Sequence, residues 1–441
     1  MQHRYFPHTE EDVQQMLEAI GAKSLDDLYA EIPRELLLRR DLQLPIGKSE
    51  VEIRQEFTRL AKQNKPLVCF AGAGSYDHYT PSLVPYITSR SEFSTSYTPY
   101  QAEISQGTLM YIFEYQTMMA NLTGMDVSNA SMYDGATATA EAMMMATASV
   151  RKHNRVLLSA TLPPRILDVC RTYASYHGTD INIIPAKDGI TDRAALTDLL
   201  AKGDVAGVIV PQPNYYGIVE DLSGLADEVH AQKALLIVSG PASPLGVLKS
   251  PGEWGADIAC GDAQSLGIPL GYGGPYIGYL CAKNALIRKM PGRIVGQTED
   301  TEGRRAFVLT MQAREQHIRR EKATSNICTA QGMMCLYVAA YLSLMGPSGL
   351  REVNDTSCKG AHYLAEALVN SGQFALTYPD QPFLNEFRLT CKAAPAAQLI
   401  SRAAEAGYLA GVQDETDGLI LCVTEQRTKA ETDKLIQILT A

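Results

Sequence analysis

From residue 67 onward the chain alternates short, uninterrupted apolar or β-branched runs with helical stretches, and this alternation restricts the fold more than any other feature of its 441 residues. A run without polar interruption suits a strand buried on both faces, the situation of parallel strands covered by helices. The texture begins with LVCFAGAG at 67–74, and strands are expected at 156–159, 181–185, 205–211, 234–239, 257–261 and 276–281. Helical patterns at 135–152, 163–176, 194–202, 222–232 and 284–290 fill most gaps between them. Ahead of this, Val13, Met16, Leu17 and Ile20 fall at helical spacing, Pro33 breaks the pattern, and a second helix is expected near 49–63. Beyond about residue 330 a long helical region, 330–371, leads to strand-like 387–391, a helix at 394–406, a strand at 419–425 and a last helix at 428–440. The expected organisation is an N-terminal helical arm (1–66), a large α/β domain (67–329) and a small C-terminal α/β domain (330–441), with no internal repeat.

Composition narrows the partners. A formal charge of −10 repels phosphate backbones and anionic membrane surfaces, so neither nucleic acid nor membrane is expected as a partner. The nine cysteines are scattered without a CxxC, Cys328 and Cys335 being the closest two, so no disulfide framework or zinc site is expected. With an N-terminus carrying acids and histidines, and no apolar stretch of roughly 18 residues, the expected location is the cytoplasm. None of the eight histidines has metal-site spacing.

Five segments could carry chemistry. In SMYDGATATAEAMMMATASV (131–150), the amides of Gly135, Ala136 and Thr137 open a helix and would seat a phosphate; the plainer reading is tight packing of small residues, with Met143, Met144 and Met145 as core. In PQPNYYGIVEDL (211–222), Asn214 and Tyr215 follow a strand end, where ligands bind in open α/β sheets, and Ser239 lies in the same row; a proline-shaped loop is the alternative. GDAQSLGIPLGYGGPYIGYL (261–280) holds six glycines and allows close backbone approach, yet no lysine occurs between Lys249 and Lys283. REQHIRREKATSNICTAQG (314–332) sets Arg314, His317, Arg319 and Arg320 beside Thr324, Ser325 and Asn326; this suits an exposed ion-pair face, or anchoring of an anionic ligand or partner chain. Tyr97, Tyr100 and Gln101 precede a long apolar helix and suit an interface or pocket.

The ordered set TPYQAEISQG (98–107), YDGATATAEA (133–142), GGP (273–275), PGRIVGQTED (291–300) and REQHIRREKATSNICT (314–329) resembles the P-protein family of the glycine cleavage system, and in length the alpha (subunit 1) chains of its split form. The resemblance implies a fold of the type I pyridoxal-phosphate-dependent transferase class: a large domain with a mostly parallel seven-stranded sheet plus a smaller C-terminal α/β domain. It implies glycine decarboxylation with transfer of the aminomethyl group to a lipoyl H-protein. Laying the family's His-Lys loop on 261–275 puts Ala263 and Gln264 where histidine and the imine-forming lysine stand, and Ser239 where an acid holds the pyridine nitrogen. By resemblance this chain therefore has no catalytic residue of its own and retains a vestigial pocket (Gly135, Ala136, Asn214, Ser239). Pyridoxal phosphate is held covalently by the beta subunit (subunit 2). Thr324 and Ser325 reach toward the partner's cofactor phosphate, with Tyr97, Tyr100, Gln101, Arg314, His317, Arg319, Arg320 and Asn326 along the shared cleft. Two rivals remain open: a self-sufficient pyridoxal-phosphate aminotransferase or decarboxylase using Lys249 or Lys283, and a non-catalytic scaffold that only stabilises the beta chain.

Overall fold

The computed structural model describes residues 5–150 and 152–441. Seven apolar runs form one sheet, in the spatial order Val127–Ser128, Gly278–Ala282, Ile258–Asp262, Leu235–Ser239, Val205–Pro211, Arg155–Ser159, Asp180–Ile184. The last five pair in parallel, while Gly278–Ala282 runs antiparallel to both its neighbours. Every residue of Val205–Pro211 is buried, as its apolar sequence demands. Helix Gly135–Ser149 lies on one face of the sheet. Its Ala, Gly and Thr residues allow close approach, and Met143, Met144 and Met145 fill core between it and Ile209 and Ile237. On the other face, Tyr115 and Met119 of helix Gln106–Thr123 share a core with Leu266 and Tyr279.

The chain divides into two compact units, Met1–Lys65 and Pro66–Ala441. In the first, helices Glu10–Ile20 and Glu50–Ala61 each start at a capping box, on Thr9 and Ser49. Helix Gly332–Asn370, which starts just past the expected border at 329/330, packs both against Gln106–Thr123 and against the C-terminal helix Lys429–Thr440. A four-stranded antiparallel sheet completes the C-terminal part.

The expected run at 67–74 joins that part and not the large sheet. Val68–Cys69 pairs in parallel with Tyr408–Leu409, and Phe70 is buried among Leu364, Phe387 and Leu421. Helix Gly332–Asn370 corrects a second expectation, since it is long and apolar enough to cross a membrane. In the fold Gly346 interrupts it with a non-helical backbone (φ 60, ψ −176), and Cys335, Val338 and Tyr341 lie in the core. The expected helix at 284–290 is a 3-10 helix, Asn284–Lys289. The expected helix at 222–232 begins only at Leu225, after Gly224 in the left-handed region (φ 71). A hairpin of Ile294–Glu299 and Arg305–Thr310 was not expected at all.

Candidate functional site

Three strands and one helix converge on a crevice of about 300 Å³, lined by Pro211, Ser239, Gly261 and Asp262 at the carboxyl ends of the strands and by Gly135 and Ala136 at the start of the helix. This is where open α/β sheets place their ligands. The approach of helix to strand is set by backbone: a Cβ on Gly135 would meet the Asp262 backbone N at 2.8 Å. At Gly261 (φ 150) a Cβ would stand 1.8 Å from the carbonyl oxygen of Gly240. Neither position has room for a side chain.

Several polar groups in and just behind this crevice are already engaged within the protein. Gln264, 1% exposed, accepts at Oε1 from the Tyr76 N–H (2.8 Å) and donates from Nε2 to the carbonyls of Tyr76 (2.9 Å) and Ile268 (2.7 Å). Its carboxamide is a staple between two loops. Ser239 shares a hydrogen bond with Thr139 (2.8 Å). Asn214 lines the crevice but does not offer its amide to it: Nδ2 donates to the Gly189 carbonyl and to Glu220 (2.8 Å each), and Oδ1 accepts from Tyr216 and Ile218 N–H groups. Of the three amides expected to seat a phosphate, those of Gly135 and Thr137 are already engaged. The Gly135 N–H donates to Asp262 Oδ2 (3.0 Å) and the Thr137 N–H to its own cap, Asp134 Oδ1 (2.8 Å). Lys249 lies over the Trp254 ring (4.1 Å) and Lys283 pairs with Asp257 (2.7 Å), so neither amine lines the crevice.

Two carboxyls of the crevice are displaced from their ordinary range. Burial raises Glu386 to about 7, against the opposing hydrogen bonds from the Ala73 N–H and the Tyr76 hydroxyl (3.0 Å). Desolvation also raises partly buried Asp262, to about 6, opposed by N–H donation from Gln264 (2.8 Å) and Gly135. Glu141, on the helix that borders the crevice, is buried and raised to about 7 by desolvation, with a hydrogen bond from Ser325 pulling the other way.

A second site is built by residues 312–328. Arg293, whose side chain is 9% exposed, donates from Nη2 to the Tyr100 hydroxyl (3.1 Å) and the Cys328 carbonyl (2.7 Å), while its Nε has no hydrogen-bond partner. Tyr100, His317, Arg320 and Cys328 then line a recess of about 530 Å³, the Tyr100 and His317 rings meeting edge to face at 6.5 Å. Beside it, Arg314 donates to the Gly292 carbonyl (3.0 Å), leaves Nη1 unpaired, and borders the half-buried Thr324 and Ser325. Tyr133 ties the segment to the sheet, its hydroxyl accepting from the Cys328 N–H (3.1 Å).

Of the residues expected from sequence, Gly135, Ala136, Asn214 and Ser239 meet in the crevice, and Tyr100, His317 and Arg320 in the recess. Tyr97 is 89% exposed and joins neither, and Gln101, Arg319 and Asn326 are also exposed and line neither. Sequence reasoning missed Asp262, Glu386, Arg165 and Arg293. Asp262 adjoins the two positions singled out for chemistry and was legible in principle, whereas Glu386 reaches Tyr76 across 310 residues, which no local pattern reveals.

A family model described as glycine cleavage system P-protein matches residues 3–439. "Probable glycine dehydrogenase (decarboxylating) subunit 1" of Anoxybacillus flavithermus is 46% identical over 446 residues, covering 99% of this chain and 98% of the relative. The protein of the same description from Desulforamulus reducens is 47% identical, covering 98% of both. A crystal structure of glycine decarboxylase (P-protein) of the glycine cleavage system, in inhibitor-bound form, superposes with a TM-score of 0.90 at 41% identity over 99% of both chains. A variant of C-DES with glycine covalently linked to its pyridoxal-phosphate cofactor shares the fold at 15% identity (TM-score 0.63).

Proposed function

Because the chain belongs to the P-protein family of the glycine cleavage system, we propose that it is the half of a two-subunit glycine decarboxylase that holds no cofactor itself and completes the site of the other half. Its relatives are subunit 1 chains, a description that implies a second subunit. Pyridoxal phosphate supplies the electron sink for loss of the glycine carboxylate in this family. In this reading it sits on subunit 2, and the aminomethyl group passes to the lipoyl arm of an H-protein.

The observation that carries the reading is the fate of Gln264. A residue at the position of the imine-forming lysine must present a nucleophilic amine to the crevice, and Gln264 presents a carboxamide consumed by three hydrogen bonds within the protein. The other residues of the crevice fit the cofactor no better. Ser239 offers a hydroxyl, already bonded to Thr139, where a carboxylate would hold a protonated pyridine nitrogen. Asp262 offers a carboxylate where amides would receive a phosphate. A phosphate forced to within about 4 Å of that carboxylate meets a repulsion of about 4 kcal/mol per pair of unit charges at an effective dielectric constant of about 20. No chemical step is therefore assigned to this crevice.

What the chain contributes lies on 312–328. Arg293 fixes Tyr100 and the Cys328 carbonyl, which anchors the carboxyl end of a segment whose Arg320, His317, Thr324 and Ser325 supply guanidinium, imidazole and hydroxyl donors of the kind that receive a phosphate or carboxylate from a facing chain. Their work is binding and orientation at the partner's cofactor, and exclusion of water from the cleft between the chains. The test is reconstitution. Mixed with subunit 2, cofactor, H-protein and glycine, Thr324→Val and Ser325→Ala variants should associate normally but turn over at least tenfold more slowly. Unchanged turnover would leave the chain a scaffold.

A further inference from the structure

We propose that Asp262 is a built-in substitute for a phosphate, seated on the N-terminus of helix Gly135–Ser149, and that it bars pyridoxal phosphate from this chain independently of the missing lysine. The inference rests on the reading that this chain holds no cofactor, and it adds a second cause. One carboxylate oxygen of Asp262 takes the N–H of Gly135, the first residue of a helix of 15 residues, and the other takes the N–H of Gln264 at 2.8 Å. The Gly135 N–H is one of the free amides a helix start offers a phosphate, and the Gln264 N–H adds a second donor from the loop after the facing strand. The carboxylate supplies the negative charge that such a terminus favours, and it does so from the protein.

The rest of the crevice agrees in charge. A pyridoxal phosphate is cationic at its protonated ring nitrogen and anionic at its phosphate. The crevice is neutral at the first place, where Ser239 bonds to Thr139, and anionic at the second. The Asp134 carboxylate acts against the charge of Asp262, and Glu386 adds another carboxyl to the crevice lining. The cation facing it is Arg165, exposed at the mouth and drawing the Asp262 carboxyl toward its charged form. With Asp262 removed, the amides of Gly135 and Gln264 and the Arg165 guanidinium remain around a space that already opens into about 300 Å³. That arrangement receives an anion.

The test uses the full chain in four forms: unaltered, Gln264→Lys, Asp262→Gly, and the double variant. Thermal unfolding is followed as inorganic phosphate is added, and cofactor uptake is read as pyridoxal phosphate fixed by borohydride. The unaltered chain should show no phosphate-dependent rise in Tm. Asp262→Gly should unfold at lower temperature and recover with phosphate, binding it at least tenfold more tightly than the unaltered chain. Gln264→Lys alone should fix little cofactor, and the double variant at least tenfold more. If Asp262→Gly fails to fold, Asp262→Ser keeps one acceptor oxygen for the loop and serves in its place. Phosphate acting alike on both chains, or Gln264→Lys fixing as much cofactor as the double variant, overturns the role of Asp262 while leaving the two-subunit reading intact. Cofactor fixed to the unaltered chain would overturn that reading itself.

Discussion

The crevice at the strand ends and the segment 312–328 are two polar regions of one unit, and they differ in how their polar groups are satisfied. In the crevice Asn214, Ser239 and Asp262, and behind its lining Gln264, bond to other parts of the same chain. In and beside 312–328, Arg293 Nε, 3.9 Å from Glu315 Oε2, and Arg314 Nη1 are buried without a hydrogen-bond partner, and His317, Arg319, Arg320 and Asn326 stand exposed. Buried donors are rarely left unpaired, since each costs about 1–3 kcal/mol. A region that closes on itself has no use for a ligand, and a region that leaves arginine donors open is incomplete until something supplies acceptors. The difference favours the second region as the proposed working face of this chain.

The comparison breaks most readily at Arg293. Arg293→Met removes the bonds to Tyr100 and Cys328 and takes one cation from Glu315, whose side chain is 10% exposed, leaving it Arg314. A loss of about 3 kcal/mol in unfolding free energy is expected, with at least a tenfold fall in reconstituted turnover; an unaffected Tm would show that the segment is held otherwise.

Next is the pH dependence of the crevice. The folded state raises Glu386 and Glu141 to about 7 and Asp262 to about 6. A raised carboxyl stabilises the fold fully below its unfolded value and loses that contribution as pH rises through its folded value. Unfolding free energy should therefore fall between about pH 5 and 8, by on the order of 3 kcal/mol for Glu386 alone. Glu386→Gln should flatten the slope in urea titrations at several pH values. Carboxyls held below their usual range, such as Glu425 beside His78, titrate below this window and do not oppose it. A profile equally steep with and without Glu386 would contradict the assignment.

Gln264→Ala should cost about 2 kcal/mol for its three lost hydrogen bonds, read from thermal denaturation, while turnover per assembled enzyme stays within about twofold. The smallest effect belongs to Tyr97, 89% exposed: Tyr97→Ala should leave stability within about 0.5 kcal/mol. If it slows turnover as much as Ser325→Ala, the working face extends along the loop before helix Gln106–Thr123.

Much of the scaffold was legible because burial on both faces writes itself as an unbroken apolar run, as in 205–211, and because small residues in 135–149 announce a helix pressed on a sheet. The hairpin of 294–310 was not legible, since its strand IVGQTE turns from apolar to polar along its length and not in alternation. The strand at 68–69 was read in the wrong sheet because its partner, 408–409, lies some 340 residues on in the chain. At the crevice, the lack of a lysine was plain from 261–275 alone, but the seat taken by Asp262 depends on a bond to Gly135, 127 residues away. Asn214 was read as facing the crevice because strand-end position was visible, while the loop that turns its amide inward was not.

On the proposed division of labour, this chain serves a cofactor it does not hold. The direct measurement is borohydride fixation of pyridoxal phosphate, followed by peptide mapping, on this chain alone, on subunit 2 alone and on the mixture. The account predicts label on a lysine of subunit 2 only, with glycine decarboxylation appearing on mixing; label on any amine of this chain would contradict it.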